Sequence, residues 1–150
     1  MQKKGRERED GTVIVVASEA TVVRVAGGRV EAAMSTLLVL SAVGNAGKKG
    51  TIVVVHHTDC GLATASNEEI KETLLDSVKD YTKTEAKLIV EDMEFGSIET
   101  PTRSVNEDVS KLRNSPFFTG MKIWGLVQDT ETGLLEVVYP RVHSRVSSKD

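Results

Sequence analysis

Two runs of β-branched residues on either side of an amphipathic stretch constrain the fold of this chain more than any other feature. Residues 12–17 (TVIVVA) and 51–55 (TIVVV) lack the polar alternation of a half-exposed strand, which is typical of strands covered on both faces. Between them, Gly27 and Gly28 predict a tight turn, and apolar residues recur at helical spacing over residues 30–44. The pattern therefore predicts a strand, a helix and a second, parallel strand.

The middle of the chain predicts a further helix and a further strand. Ser66 and Glu69 have the S-x-x-E spacing of a capping box, which begins a helix. Residues 87–90 (KLIV) predict a short strand, and residues 21–25 are expected to extend or follow the first strand. The apolar stripe of the helix is expected to consist of Ile70, Leu74, Leu75, Val78 and Tyr81.

The last third of the chain predicts a helix followed by a hairpin. Ser104 and Glu107 repeat the S-x-x-E spacing, so a helix is expected to begin there and to stop before Pro116. Residues 121–127 and 134–139 predict the two strands of the hairpin, and Gly133 in the turn between them accommodates a positive φ.

These elements predict an α/β fold with a mostly parallel central sheet, flanked by helices and completed by a C-terminal hairpin. One domain is expected over residues 12–140, because the chain has the length of one ordinary domain. Residues 1–11 and 141–150 are polar and are expected to form solvated tails.

Composition excludes several classes of partner. With a net charge of −3 and a pI near 5.7, the chain has no general electrostatic attraction for nucleic acid. Its apolar runs are far shorter than the roughly 18 residues that a membrane-spanning helix needs, so no membrane partner is expected. Cys60 is the single cysteine, which fits a reducing compartment such as the cytoplasm.

The pair His57 and Cys60 lies just after the second strand, in the segment VVVHHTDCGL. Ligands usually bind at the carboxyl ends of parallel strands, and an imidazole and a thiolate at this spacing can share a zinc ion. The spacing alone is weak evidence, because many cysteines and histidines are simply structural. Gly61 is expected to permit the turn that brings Cys60 back towards His57, whereas His56 should point to the opposite face and be structural.

Three blocks of sequence, in the same order, resemble the β-carbonic anhydrase family. The segment VVVHHTDCGL resembles the family's second metal-binding motif, whose histidine and cysteine match His57 and Cys60. Upstream, residues 20–29 (ATVVRVAGGR) are similar to its strand and Arg-Asn-Ala-Gly-Gly turn. Downstream, residues 104–116 and 125–133 resemble its late helix and last hairpin. The resemblance implies zinc-dependent hydration of carbon dioxide, with bicarbonate as the product, and assembly into a homodimer or a higher homo-oligomer.

The chain also departs from the family pattern. The family's Cys-x-Asp-x-Arg motif, which supplies a zinc ligand and a catalytic dyad, is absent after the first strand, and Val25 replaces the asparagine of the glycine turn. Because a catalytic zinc ion normally has three protein ligands, another donor is required. Asp59, within the motif, and Glu19, after the first strand, are the two candidates; Asp59 is also a candidate for handling the reacting water. For each of these two carboxylates, the simpler interpretation is a solvated side chain that binds no metal.

Two functions follow from these features. The first is a carbonic anhydrase-like zinc lyase that acts on carbon dioxide or a similar small linear substrate, with activity impaired by the incomplete zinc site. The second is a non-catalytic relative that retains the fold and serves as an oligomeric or regulatory subunit. In the first case zinc is the expected cofactor. In the second case zinc binding is expected to be weak or absent.

Overall fold

The computed structural model describes residues 20–44 and 50–138 of the chain. In these ranges the helices are α1 (Val30–Val39), α2 (Asn67–Ser77), α3 (Lys83–Val90) and α4 (Pro101–Asn114), and the strands are β1 (Thr51–His57), β2 (Lys122–Gln128) and β3 (Leu135–Val138). Single 3-10 turns are present at Ala26–Gly28, Gly61–Ala63, Asp80–Thr82 and Pro116–Phe118, and α1 continues into a π-helical turn at Leu40–Gly44. The predicted strand at 12–17 and both predicted tails lie outside the described residues.

The three described strands form one sheet in the order β1-β2-β3. β1 and β2 are parallel, with Thr51 opposite Lys122 and His57 opposite Gln128. β2 and β3 are antiparallel and form the predicted hairpin, whose turn contains Gly133 at a φ of 72°. The α/β class is confirmed, while the described strands contribute one parallel and one antiparallel pairing to the expected mostly parallel sheet.

Helix α4 packs directly on this sheet. Its side chains Val105, Val109 and Leu112 are fully buried and form the centre of the core. The close approach depends on Gly125 of β2, where an added Cβ would lie 2.5 Å from Cγ1 of Val105. A residue with a side chain at position 125 would therefore push the helix away from the strand.

The Gly27–Gly28 segment makes the turn into α1, as the sequence predicts. Both glycines have positive φ, 59° and 68°, and a Cβ on Gly28 would lie 2.8 Å from the carbonyl oxygen of Val55. Val30 is buried at the start of α1, and further apolar side chains of the helix pack against the core: Met34, Leu37 and Leu38. The turn therefore needs glycine for close packing against β1, which agrees with interpreting it as a strand-to-helix connection.

One predicted strand was wrong. Residues 87–90 form the end of α3, because Lys83, Glu85 and Ala86 favour a helix that continues through the apolar run. Leu88 and Ile89 are 72% and 59% exposed, so the run lacks the burial that a central strand would have. Residues 21–25 are not assigned to a strand, and the first strand, which they were expected to extend or follow, lies outside the described residues.

The helix boundaries were predicted with mixed success. The Ser66–Glu69 capping box is confirmed, since both of its reciprocal hydrogen bonds are present. However, α2 ends at Ser77, so Val78 lies past the helix and Tyr81, 80% exposed, lies outside its stripe. The predicted start of the next helix was wrong: α4 begins at Pro101.

The true start of α4 follows from its own capping residues. Oγ1 of Thr100 accepts a hydrogen bond from the backbone N–H of Arg103, and Pro101 occupies the first turn, where its missing N–H has no cost. Ser104 lies one turn inside the helix and is buried. Within the described ranges, no helix is both long and apolar enough to span a bilayer.

Candidate metal site

The last two residues of β1 point to opposite sides of the sheet. His56 is 1% exposed, whereas His57 is exposed to solvent. This is the result of the two-residue period of a strand, and it confirms that His56 faces away from the loop at the strand end. Of the two histidines, His57 is thus the one available to a ligand.

The imidazole of His57 is held in one tautomer by its neighbour. Nδ1 lies 2.6 Å from the carbonyl oxygen of Thr58, and because a carbonyl oxygen only accepts hydrogen bonds, Nδ1 carries the proton. In the neutral ring, Nε2 is then the nitrogen that offers a lone pair. An orienting hydrogen bond on the other ring nitrogen is typical of histidines that bind metals.

A sharp turn follows at Asp59 rather than at Gly61. Asp59 has a φ of 53°, a left-handed conformation that aspartate adopts more readily than most residues. Gly61 has no positive φ, and a Cβ there would meet nothing within 4 Å, so the expectation that this glycine is needed for the turn was wrong. Cys60, directly after the turn, is 6% exposed.

The turn between β2 and β3 contacts this loop. Oγ1 of Thr130 donates a hydrogen bond to Oδ2 of Asp59 (3.0 Å), and the backbone N–H of Thr130 donates to Oγ1 of Thr58 (2.9 Å). The Thr58 backbone N–H also donates to the carbonyl oxygen of Gln128 at 2.9 Å. The loop that carries His57 and Cys60 is therefore attached to the hairpin.

The hairpin turn is itself ordered by a carboxylate. Oδ1 of Asp129 accepts hydrogen bonds from the backbone N–H groups of Glu131 and Thr132, both at 2.9 Å. The hydrogen bond from the Thr132 backbone is the main cause that lowers the pKa of Asp129 below its usual value. Thr130 is thus presented to Asp59 from a constrained turn.

His56, on the buried side of β1, belongs to a buried polar cluster. Its Nδ1 lies 2.8 Å from Oγ of Ser104, and its Nε2 lies 3.2 Å from the carbonyl oxygen of Gly28 and 3.3 Å from Oδ2 of Asp108. The same Asp108 oxygen accepts the backbone N–H of Val30 at 3.0 Å, and its Oδ1 lies 3.3 Å from the guanidinium of Arg29. The cluster joins β1, α1 and α4 at one point.

Sequence reasoning missed Arg29, Ser104 and Asp108 as members of this cluster. Their signal is visible in the chain, because Ser104 and Asp108 are four residues apart and adjoin Val105 and Val109, on the face that α4 buries. Polar residues on a buried helix face require partners. What the sequence does not give is the identity of those partners, which come from distant segments.

Ser104, His56 and Asp108 have the residue types of a nucleophilic triad, but their burial opposes that role. Ser104 is 1% exposed, and its hydroxyl lies 3.1 Å from the carbonyl oxygens of both Thr100 and Pro101. A nucleophile must reach a substrate. The arrangement is therefore a core network that fixes the strand end.

The described residues include two side chains of the types that zinc prefers, but no complete ligand set. An imidazole nitrogen from His57 and a sulfur from Cys60 are the types of donor that zinc prefers. Among residues 20–44 and 50–138, however, no three His, Cys, Asp or Glu side chains are grouped closely enough to share a metal ion. Asp59 is engaged with Thr130, and Glu19 lies outside the described residues.

A nearby cavity of about 270 Å³ does not extend to these donors. It lies beside the N-terminus of α2 and is lined by Ala63, Thr64, Ala65, Ser66, Glu69, Ser97, Ile98 and Glu99. Its lining contains no histidine or cysteine. The cavity is therefore separate from the candidate metal site at the end of β1.

Comparison with solved structures finds carbonic anhydrases. The carbonic anhydrase of Streptococcus mutans is 31% identical, with a TM-score of 0.66, and the match covers 83% of this chain and 70% of that one. The enzyme of Glaciozyma antarctica is 25% identical over 76% of this chain and 64% of its own, also with a TM-score of 0.66. The β-carbonic anhydrase isoform I of Trichomonas vaginalis is 24% identical over 83% of this chain and 70% of its own, with a TM-score of 0.57, which shows the shared fold.

The chain thus spans about two thirds of the length of these structures, from 64% to 70%. No protein-family model and no curated protein sequence matches it.

Proposed function

Because this chain belongs to the β-carbonic anhydrase family, we propose that it catalyses the reversible hydration of carbon dioxide, or of a similar small linear substrate, at a low rate with bound zinc. The observation that carries the proposal is the state of His57, whose Nδ1–H donates to Thr58 and leaves Nε2 as a metal donor. Zinc in such a site acts as a Lewis acid that lowers the pKa of water towards neutrality.

Each candidate residue has a distinct role in this proposal. His57 and Cys60 hold the metal from the two sides of the Asp59 turn. Glu19 supplies the third donor from the segment where the family's first metal-binding motif would lie, and Asp59 helps to orient the reacting water. The low rate follows from the missing Cys-x-Asp-x-Arg motif, because a hard carboxylate replaces a thiolate and the dyad is lost.

The test combines metal content with turnover. We expect about one zinc per chain after zinc loading, and stopped-flow hydration of carbon dioxide above the buffer rate. His57→Ala and Cys60→Ser should lose both signals, while Thr51→Ala, at the far exposed end of β1, should keep them. Glu19→Gln should weaken zinc binding, with Glu68→Gln on the exposed surface of α2 as its matched control. Zinc-loaded protein that retains no metal and shows no hydration would end this proposal.

A second candidate is a non-catalytic oligomeric or regulatory subunit. It is favoured by the finding that, among the described residues, no three His, Cys, Asp or Glu side chains are grouped so that they could hold a metal ion. In this case we expect a homodimer or a higher homo-oligomer whose mass, measured by light scattering, does not change when a chelator is added. Dissociation by the chelator would count against it.

We also propose a cytoplasmic location. A metal-binding thiolate requires Cys60 to remain reduced, and a reducing compartment satisfies this condition. Fractionation of cells that express the tagged protein tests the proposal, and recovery with secreted or membrane fractions would contradict it.

A further inference from the structure

The contacts between the hairpin and the strand-end loop lead to an inference that rests on the proposed zinc site. We infer that Thr130, in the turn between β2 and β3, is a positioning residue that holds His57 and Cys60 in their metal-binding arrangement. It touches neither donor. It acts through Thr58 and Asp59, the two residues that separate them.

The hydrogen bonds between these three residues form a closed, directional set. The carboxylate of Asp59 only accepts, so the Thr130 hydroxyl donates to it. The Thr58 hydroxyl is then free to donate to Oγ1 of Thr130, at 2.9 Å, while it accepts the Thr130 backbone N–H at 2.9 Å. Each hydroxyl donates once and accepts at least once, and we call this set the Thr130 clasp.

The Thr130 clasp contacts a residue with an unfavourable backbone conformation. Asp59, at a φ of 53°, is the described non-glycine residue with a positive φ, and such a conformation persists when its surroundings stabilise it. Because Cys60 follows Asp59 directly, the backbone angles of Asp59 decide where the sulfur is placed relative to His57. The hydrogen bond from Thr130 to the Asp59 side chain favours this one conformation.

The other side of the loop is fixed independently. His57 is paired with Gln128 in the parallel ladder, and the next N–H, that of Thr58, donates to the Gln128 carbonyl oxygen. The hairpin turn is closed by the hydrogen bond from Gly133 N–H to the carbonyl oxygen of Asp129, at 2.8 Å. One donor is therefore fixed by the sheet and the other by the clasp, both against the same hairpin.

The first measurement does not depend on metal. Cys60 is the single cysteine of the chain and is 6% exposed, so its rate of alkylation by a neutral reagent in metal-free protein reports opening of the loop. Thr130→Val removes the hydroxyl while keeping the shape. We expect alkylation to be about fivefold faster in this variant, the effect of losing one hydrogen bond from the closed loop.

Two variants serve as controls for this experiment, and a third tests the same set of hydrogen bonds independently. Thr130→Ser keeps the hydroxyl and should alkylate at the wild-type rate. Thr119→Val makes the same change at an exposed threonine before β2, at the opposite end of the strand, and should also leave the rate unchanged. Thr58→Val breaks the clasp from the other side, and it should accelerate alkylation even if Thr130→Val folds poorly.

The second measurement uses cobalt(II) alone as the probe. Its thiolate charge-transfer absorption reports binding to Cys60 without turnover. We expect Thr130→Val and Thr58→Val to weaken cobalt binding by about tenfold or more, the usual effect of losing a residue that orients ligands. Thr130→Ser should restore wild-type affinity.

The outcomes separate the inference from the proposed function. Unchanged alkylation in both valine variants overturns the clasp, whatever the metal result. Faster alkylation with unchanged cobalt affinity overturns the positioning role. Wild-type protein that binds no cobalt overturns the proposed zinc function instead, and the alkylation rates still decide whether the clasp exists.

Discussion

Oδ2 of Asp108 lies 3.3 Å from Nε2 of His56, and neither side chain is exposed to solvent. The carboxylate also accepts the backbone N–H of Val30 and faces the guanidinium of Arg29. A single side chain of α4 thus connects the end of β1 to the start of α1. Because side chains alternate along a strand, His57 lies on the opposite, exposed side of β1 from this anchored neighbour.

The Asp108 contacts predict a large loss of stability in Asp108→Asn. The change leaves Arg29 and His56 without their buried anion, and breaking such a cluster typically costs about 3–5 kcal/mol. Urea unfolding followed by circular dichroism measures it. Glu107→Gln is the matched control, since Glu107 also contacts Arg29 but is 47% exposed, and it should cost less than about 1 kcal/mol. Equal effects of the two changes would contradict the assignment.

The close approach of α4 to β2 predicts that Gly125→Ala is destabilising. The new Cβ would lie 2.5 Å from Val105 and 2.9 Å from Val109, and overpacking of this kind costs about 1–3 kcal/mol. Gly61→Ala adds the same atom where nothing lies within 4 Å, so its unfolding free energy should stay within about 0.5 kcal/mol of wild type. A destabilised Gly61→Ala would restore the idea that this glycine shapes the metal loop.

The observed start of α4 predicts which threonine caps it. Thr100→Ala removes the acceptor for the Arg103 N–H and should lower the unfolding free energy by about 1 kcal/mol. Thr102→Ala changes an exposed residue inside the first turn and should alter stability by less than about 0.5 kcal/mol. Thermal or urea unfolding compares the two, and a larger effect at Thr102 would refute the cap.

The hydrogen bonds to Asp129 predict a pH-dependent contribution to stability. They lower the pKa of Asp129 in the folded protein, so its stabilising effect is present above the unfolded value, about 3.9, and is lost as the pH falls through the lower folded value. The free energy of unfolding should therefore rise less between low and neutral pH in Asp129→Asn than in the wild-type protein. Urea titrations across this range measure it, and Glu131→Gln, which removes a charge from the same turn, should retain the wild-type profile.

Local signals were sufficient for those elements whose stabilising contacts are also local. The Ser66–Glu69 capping box and the hairpin turn around Gly133 each depend on neighbouring residues, and each was predicted. The failures have the opposite cause. Residues 87–90 look like a buried strand, but their burial is decided by distant segments, and Leu88 in fact remains 72% exposed.

The candidate site also has features that the sequence predicted and features that it did not. The resemblance of VVVHHTDCGL to the family motif selected His57 and Cys60 as candidate ligands. His56 could be assigned to the opposite face because strand alternation is a property of the backbone. The Asp59 turn and the contact with Thr130 were not predictable, since they join segments far apart in the chain. The same holds for Arg29 and Asp108, whose pairing requires α1 and α4 to meet.

The sequence by itself determined the fold class, the family resemblance and the two candidate donors, because these follow from local periodicity and motif order. Only the tertiary structure decided that Asp59 rather than Gly61 makes the turn, that Thr130 is hydrogen-bonded to Asp59, and that no three potential ligand side chains are grouped together in the described segments. The physical reason is that a hydrogen bond or a metal ligand set depends on distances between side chains, and these are fixed only when the sheet and helices pack.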